Sequence, residues 1–140
     1  MQRVARGFLI TISVINGALG LVCAVLLLLA PDGRMLGMDV LLPTLATFPL
    51  ADVFFRDFLW IGIAMLLALG IPNLIAAVML FRRSGMQYVV TLIAGVLLVL
   101  WCAFELVHMF NVAALGFLVV GALAVIVSLI LRASADGERS

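Results

Sequence analysis

Residues 7–30, 58–81 and 112–131 carry no charged side chain, and residues 86–110 carry one, Glu105. Each run meets or exceeds the roughly 20 apolar residues that cross a ~30 Å hydrocarbon layer as a helix. Inside lipid a backbone must satisfy its own hydrogen bonds, and a continuous helix does so within one segment. The expected fold is therefore all-α: an integral membrane four-transmembrane-helix bundle with an apolar outer loop between helices 1 and 2. A single domain covers 1–132, with spans at about 7–30, 58–81, 86–110 and 112–131, followed by a polar cytoplasmic tail, 133–140. Composition agrees, at 67% hydrophobic, 11% charged and a mean hydropathy of +1.40. A soluble domain of 140 residues needs a more polar surface than that. A net charge of +1 supplies no electrostatic footprint for nucleic acid.

Arg3 and Arg6 precede the first run in the manner of a secretory signal. That run is too long for a signal's apolar region and no Ala-x-Ala site closes it, so a retained first transmembrane helix is expected. Ser13, Asn16, Gly17, Gly20 and Ala24 recur every three or four positions along it, a stripe suited to close helix packing. Ala114, Gly116, Gly121 and Ala124 are small residues of the fourth run. These stripes serve the inside of the bundle, a homo-oligomer or a larger membrane complex, and the sequence does not separate the three. An even number of spans puts both ends of the chain on one side. Arg3, Arg6, Arg82, Arg83, Arg132 and Arg139 then face one compartment, and Arg34 and Arg56 the other. The bias places both termini in the cytoplasm.

The connection over 31–57 opens on the turn Pro31-Asp32-Gly33-Arg34 and then becomes unusually apolar, with Met35, Leu36, Met38, Leu41, Leu42, Leu45 and Phe48. Pro43 and Pro49 forbid one continuous helix, so a short interfacial helix lying on the bundle or the headgroups is expected. Asp52 and Arg56, four apart, form a candidate ion pair. Trp60 follows as an interfacial anchor. Pro72-Asn73 interrupts the second run; the proline withholds one donor, kinks the helix and frees the carbonyl near Ala68. Asn16 and Asn73 both lie ~13 Å from the inner ends of their helices at 1.5 Å per residue. Asn16, Pro72 and Asn73 are thus the candidates for helix registration, through an amide–amide hydrogen bond. A broken helix lining a substrate path is the competing reading.

Titratable groups intrude on the apolar chain in one stretch, from Trp101 to Asn111. Glu105 and the protein's one histidine, His108, stand three apart and share a helix face. Ionisable residues at such depth generally face a partner or a cavity. Arg56 begins the second helix at the same level and is the expected partner of Glu105, with His108 one turn above. Trp101, Asp52, Asp57 and Asn111 complete the candidate ligand- or partner-binding set. Glu-x2-His contributes metal ligands in di-iron bundles only as a repeated motif, and there is one copy here, so neither metal nor cofactor is expected. Cys23 and Cys102 lack metal-ligand spacing and read as small apolar residues. Both sit ~25 Å from the inner ends of their helices, which leaves a contact between them open.

The sequence Ala30-Pro31-Asp32-Gly33-Arg34-Met35-Leu36-Gly37-Met38, a proline shortly before the second helix, a basic turn and Trp-x3-Glu in the third helix together resemble small uncharacterised bacterial four-helix integral membrane proteins. The resemblance covers most of the chain. It implies a fold and a bacterial inner membrane and carries no activity over.

Three functional readings follow. Glu105 and Arg56 clasp the outer ends of helices two and three; or the cluster is the polar end of a pocket, roofed by the loop, for a lipid or other amphiphile; or Glu105 and His108 move protons in a small transporter or a membrane enzyme. The expected function is non-catalytic: binding an amphiphile, a membrane lipid or a membrane-protein partner through the outer polar cluster. No nucleophile–base pair or phosphate-binding glycine loop supports catalysis.

Overall fold

The computed structural model describes residues 2–108 and 112–137. Four long helices dominate it: α1 (Gln2–Leu29), α2 (Leu59–Phe81), α3 (Gln87–His108) and α4 (Val112–Gly137). All four are long and apolar enough to cross a membrane, and among the described residues there is no strand. Two helices extend beyond the uncharged runs. The first helix starts at Gln2, before its run, and α4 continues past Arg132 to Gly137, into the polar end of the chain. Helix propensity at a helix end outweighs the change in polarity, because Ala133 and Ala135 favour continuation.

The bundle is built from two close pairs, α1 on α2 and α3 on α4, with α2 against α3 and a lighter contact between α1 and α4. Small residues set the first pair. Ser13, Asn16, Gly17, Gly20 and Ala24 are all buried on one face of α1. A Cβ on Gly20 would lie 2.8 Å from the backbone nitrogen of Gly70, so the two main chains touch there. Gly121 makes room in the second pair for side chains, since a Cβ there would meet the Val99 side chain at 3.0 Å. Gly116 faces away, with nothing within 4 Å. The outward faces carry large apolar side chains such as Val22, Ile75, Ile93, Leu100 and Ile126. In water each would forgo its hydrophobic transfer energy; against acyl chains it forgoes none.

α2 does widen before Pro72, by a single π-helical turn over Leu66–Gly70. The proline has no N–H to give, and the turn absorbs the missing bond. Asn73 then turns on its own helix, its Nδ2 donating to the carbonyl of Leu69 at 2.9 Å. The expected amide–amide bond is therefore not made, and the buried Nδ2 of Asn16 has no hydrogen-bond partner. A loosened carbonyl one turn away is a nearer acceptor than an amide on another helix.

The connection from α1 to α2 does not form the single short helix expected of it. It is two 3-10 turns, Arg34–Leu36 and Asp39–Leu41, and two single-turn helices, Leu42–Leu45 and Ala51–Phe54. Its apolar residues fold onto the bundle. Leu45 and Phe58 are fully buried with Leu27 and Ile61, and Leu36, Met38, Leu41 and Phe48 pack around them. The Phe58 N–H donates to the Pro31 carbonyl at 2.8 Å, which ties the two ends of the connection together. Gly33 makes this possible: its φ is +74°, and a Cβ there would stand 2.8 Å from the Phe58 ring. Asp32 accepts from the Arg34 N–H at 3.1 Å and pairs with its guanidinium at 3.2 Å, both exposed, so the pair adds little stability.

Candidate ligand cavity

Where the two helix pairs meet, the interior is not filled. A cavity of about 290 Å³ takes its walls from all four helices, among them Asn16 and Cys23 of α1, Met65 of α2, Trp101 and Glu105 of α3, and Phe117 of α4. A second space of about 250 Å³ lies under the connection, walled by Leu36 and Met38. The two share Cys23, Met65, Trp101 and Glu105, so they form neighbouring parts of one cleft leading inward from the connection. Cys23 is at the level of Glu105; Asn16, seven residues earlier on the same helix, lies ~10 Å deeper at 1.5 Å per residue.

Its chemistry is simple. Among the described residues Glu105 is the charged group on the walls of both spaces, and Asn16 is the polar group at the deep end of the first. The rest is aliphatic, aromatic or thiol. Cys23 and Cys102 are both free and both face the larger space, which answers where the two cysteines point. Glycines bring the helices of each pair together, and Met65, Leu98 and Phe117, packed in one cluster with Leu69 and Cys102, line the space at the seam between the pairs.

The other candidate residues do different work. Arg56 is exposed, and among the described residues it forms no ion pair with Glu105 or Asp52. The single turn Ala51–Phe54 ends before it, so Arg56 is not on the first turn of α2. Phe55, beside it, takes the inward position, because an aromatic ring buries without the desolvation cost of a guanidinium. Asp52 is exposed on the same turn. Asp57 holds the start of α2, its Oδ1 accepting from the Leu59 N–H at 2.9 Å. Asn111 lies outside the described residues. We expect Arg56→Gln to change stability by less than about 0.5 kcal/mol, alone or added to Glu105→Gln. Thermal denaturation of the two single variants and the double variant in detergent measures it, and a strongly non-additive result would restore the clasp.

His108 lines neither space reached by Glu105. Its Nδ1–H donates to the Phe104 carbonyl at 2.9 Å. The ring stands 4.5 Å from that of Phe104 and 4.8 Å from that of Phe48, which is itself 5.2 Å from Phe55. A chain of rings, Phe55–Phe48–His108–Phe104, thus fastens the connection to α3. The signal for half of it was in the sequence, since Phe104 and His108 are four apart on a helix. The partner Phe48 had no local signal at all. Two further residues escaped the sequence argument as wall components, Met65 and Phe117, because an apolar residue on an apolar helix carries no mark of facing a cavity.

Comparison with known proteins finds no family model, no curated protein and no solved structure that matches this chain.

Proposed function

We propose that this chain is an integral protein of a bacterial inner membrane, with both termini cytoplasmic, that binds a single-chain amphiphile beneath its outer loop and carries out no chemistry on it. The arginine distribution and the apolar outer faces of the helices support the placement. One observation carries the binding: an apolar cavity between the helix pairs with Glu105 toward the loop and an unpartnered, buried amide, Asn16, at its deep end. A carboxylate offers about four acceptor positions, so Glu105 serves a head group that donates hydrogen bonds or carries positive charge whatever else it touches. The apolar walls take the chain. At 290 Å³ the space is at the lower end of the roughly 300–1,000 Å³ of small-molecule sites, which suits one chain rather than two.

Cys23 is a built-in reporter, since it faces both parts of the cleft. Dodecylamine added to the purified protein should slow N-ethylmaleimide labelling of the Cys23 peptide, with octyl glucoside as the uncharged comparison. Glu105→Gln should weaken that protection about tenfold, the worth of one charge-assisted hydrogen bond. Cys23→Phe, which places a ring in both spaces, should abolish retention of the amine in native mass spectrometry. Labelling unaffected by dodecylamine, with none retained by the wild type, would falsify the reading.

A further inference from the structure

We infer a second binding site, for a phosphate group, at the opposite end of the bundle from the connection. A cavity of about 490 Å³ there is walled by Arg3, Arg6, Arg83, Gln87 and Tyr88. Three elements build it. Arg3 and Arg6 are three apart on the first turns of α1 and share a face. Arg83 sits in the turn between α2 and α3 with a φ of +53°, and Gln87 and Tyr88 open α3. Among the described residues, no carboxylate lines the space, so three guanidinium groups converge without a counter-charge in its walls.

Two details make this more than a basic helix end. The guanidinium of Arg6 donates through Nε, at 3.1 Å, and Nη2 to the Leu80 carbonyl near the last turn of α2. That contact fixes the cation in place and leaves some of its five N–H donors for an anion. The side-chain oxygen of Gln87 is buried and has no hydrogen-bond partner. It is an acceptor without a donor, in a space also lined by three guanidinium groups, of which Arg6 keeps N–H donors to spare. A tetrahedral phosphate that also carries or adjoins a hydroxyl answers both, with its oxygens on the arginines and its hydroxyl on Gln87. The first-turn N–H groups of α3 add positive potential at the same end. Two sources offer this chemistry, a phospholipid head bearing a free hydroxyl and a soluble phosphate. The position, level with the ends of three apolar helices, favours the lipid.

Native mass spectrometry of the intact protein in mild detergent tests the site, with phosphatidylglycerol, phosphatidylcholine and inorganic phosphate as probes. The wild type should retain phosphatidylglycerol over phosphatidylcholine by about fivefold or more, on the order of the effect of one arginine near a charged surface. Arg83→Gln should lower phosphatidylglycerol affinity about fivefold. Arg82→Gln removes the same charge one residue away, outside the cavity walls, and should change it less than about twofold. Failure of millimolar inorganic phosphate to displace the lipid assigns the site to a lipid head; displacement assigns the same phosphate site to a soluble anion. Equal losses for R82Q and R83Q, or equal retention of the two lipids, would overturn the proposal, because the attraction would then be general charge and not a site.

Discussion

Phe58→Ala should lower stability by about 3 kcal/mol, read as a fall of roughly 10 °C in the thermal midpoint in detergent. The ring is fully buried and is the keystone between the connection and the bundle, packed with Leu27, Leu45 and Ile61. It also fills the space that Gly33 leaves open by having no side chain. Removing it leaves a void that these neighbours, held by two different helices and a turn, close only in part. The figure is taken at the low end of the range for a buried phenylalanine, since detergent or lipid can re-cover some of the exposed apolar surface. The loss should fall on the connection first. Trypsin cleavage after Arg34 and Arg56 should therefore accelerate before the helices melt. Equal midpoints and equal cleavage rates in Phe58→Ala and the wild type would show that the connection is held by something else.

Gly20→Leu should be the most damaging single change within the helices. Its Cβ would lie 2.8 Å from the Gly70 nitrogen and 3.1 Å from the Leu69 carbonyl carbon. Those are main-chain atoms, so no rotamer change relieves the contact and α1 must move off α2. Overpacking of this kind costs about 1–3 kcal/mol, more where backbones must part. A drop of roughly 10 °C in the thermal midpoint is expected. Gly116→Leu gives the matched control: the same substitution in α4, at a glycine with nothing within 4 Å, should leave the midpoint within about 2 °C. Equal effects at the two positions would mean that helix propensity, not close approach, governs both.

The cavity and stability variants overlap at one position. Gly20 also lines the cavity, so Gly20→Leu should lose ligand and stability together. Glu105→Gln changes the polar end of the cleft without a change of volume and should lose ligand affinity more than stability.

How much of this was legible in the sequence depends on how far each feature reaches along the chain. The four helices were legible because span-forming hydrophobicity is a sum over one continuous segment. The buried stripe from Ser13 to Ala24 was legible because helical periodicity places those residues on one face wherever the helix goes. The apolar connection announced that it could not be a free loop, though not that Gly33 and Leu50, both at positive φ, would break it into single turns. Glu105 was legible as a candidate because a carboxylate in an apolar run is costly anywhere, and it lines both parts of the cleft.

Its surroundings were not. Arg56, Asp52 and Asp57 are close in sequence to where a clasp was expected, yet a local turn leaves Arg56 exposed and sets Asp57 to accept from the Leu59 N–H. Asn73 finds an acceptor one turn away, and Asn16 is left facing a cavity that needs four helices to exist. His108 is fastened by Phe48 from the far side of the connection. The sequence by itself determined which segments are helices and which faces are small, apolar or charged, since those are sums over neighbouring residues. Only the tertiary structure decided which side chains meet. Each polar group there chooses among several partners of similar strength, and the choice turns on distances that packing sets.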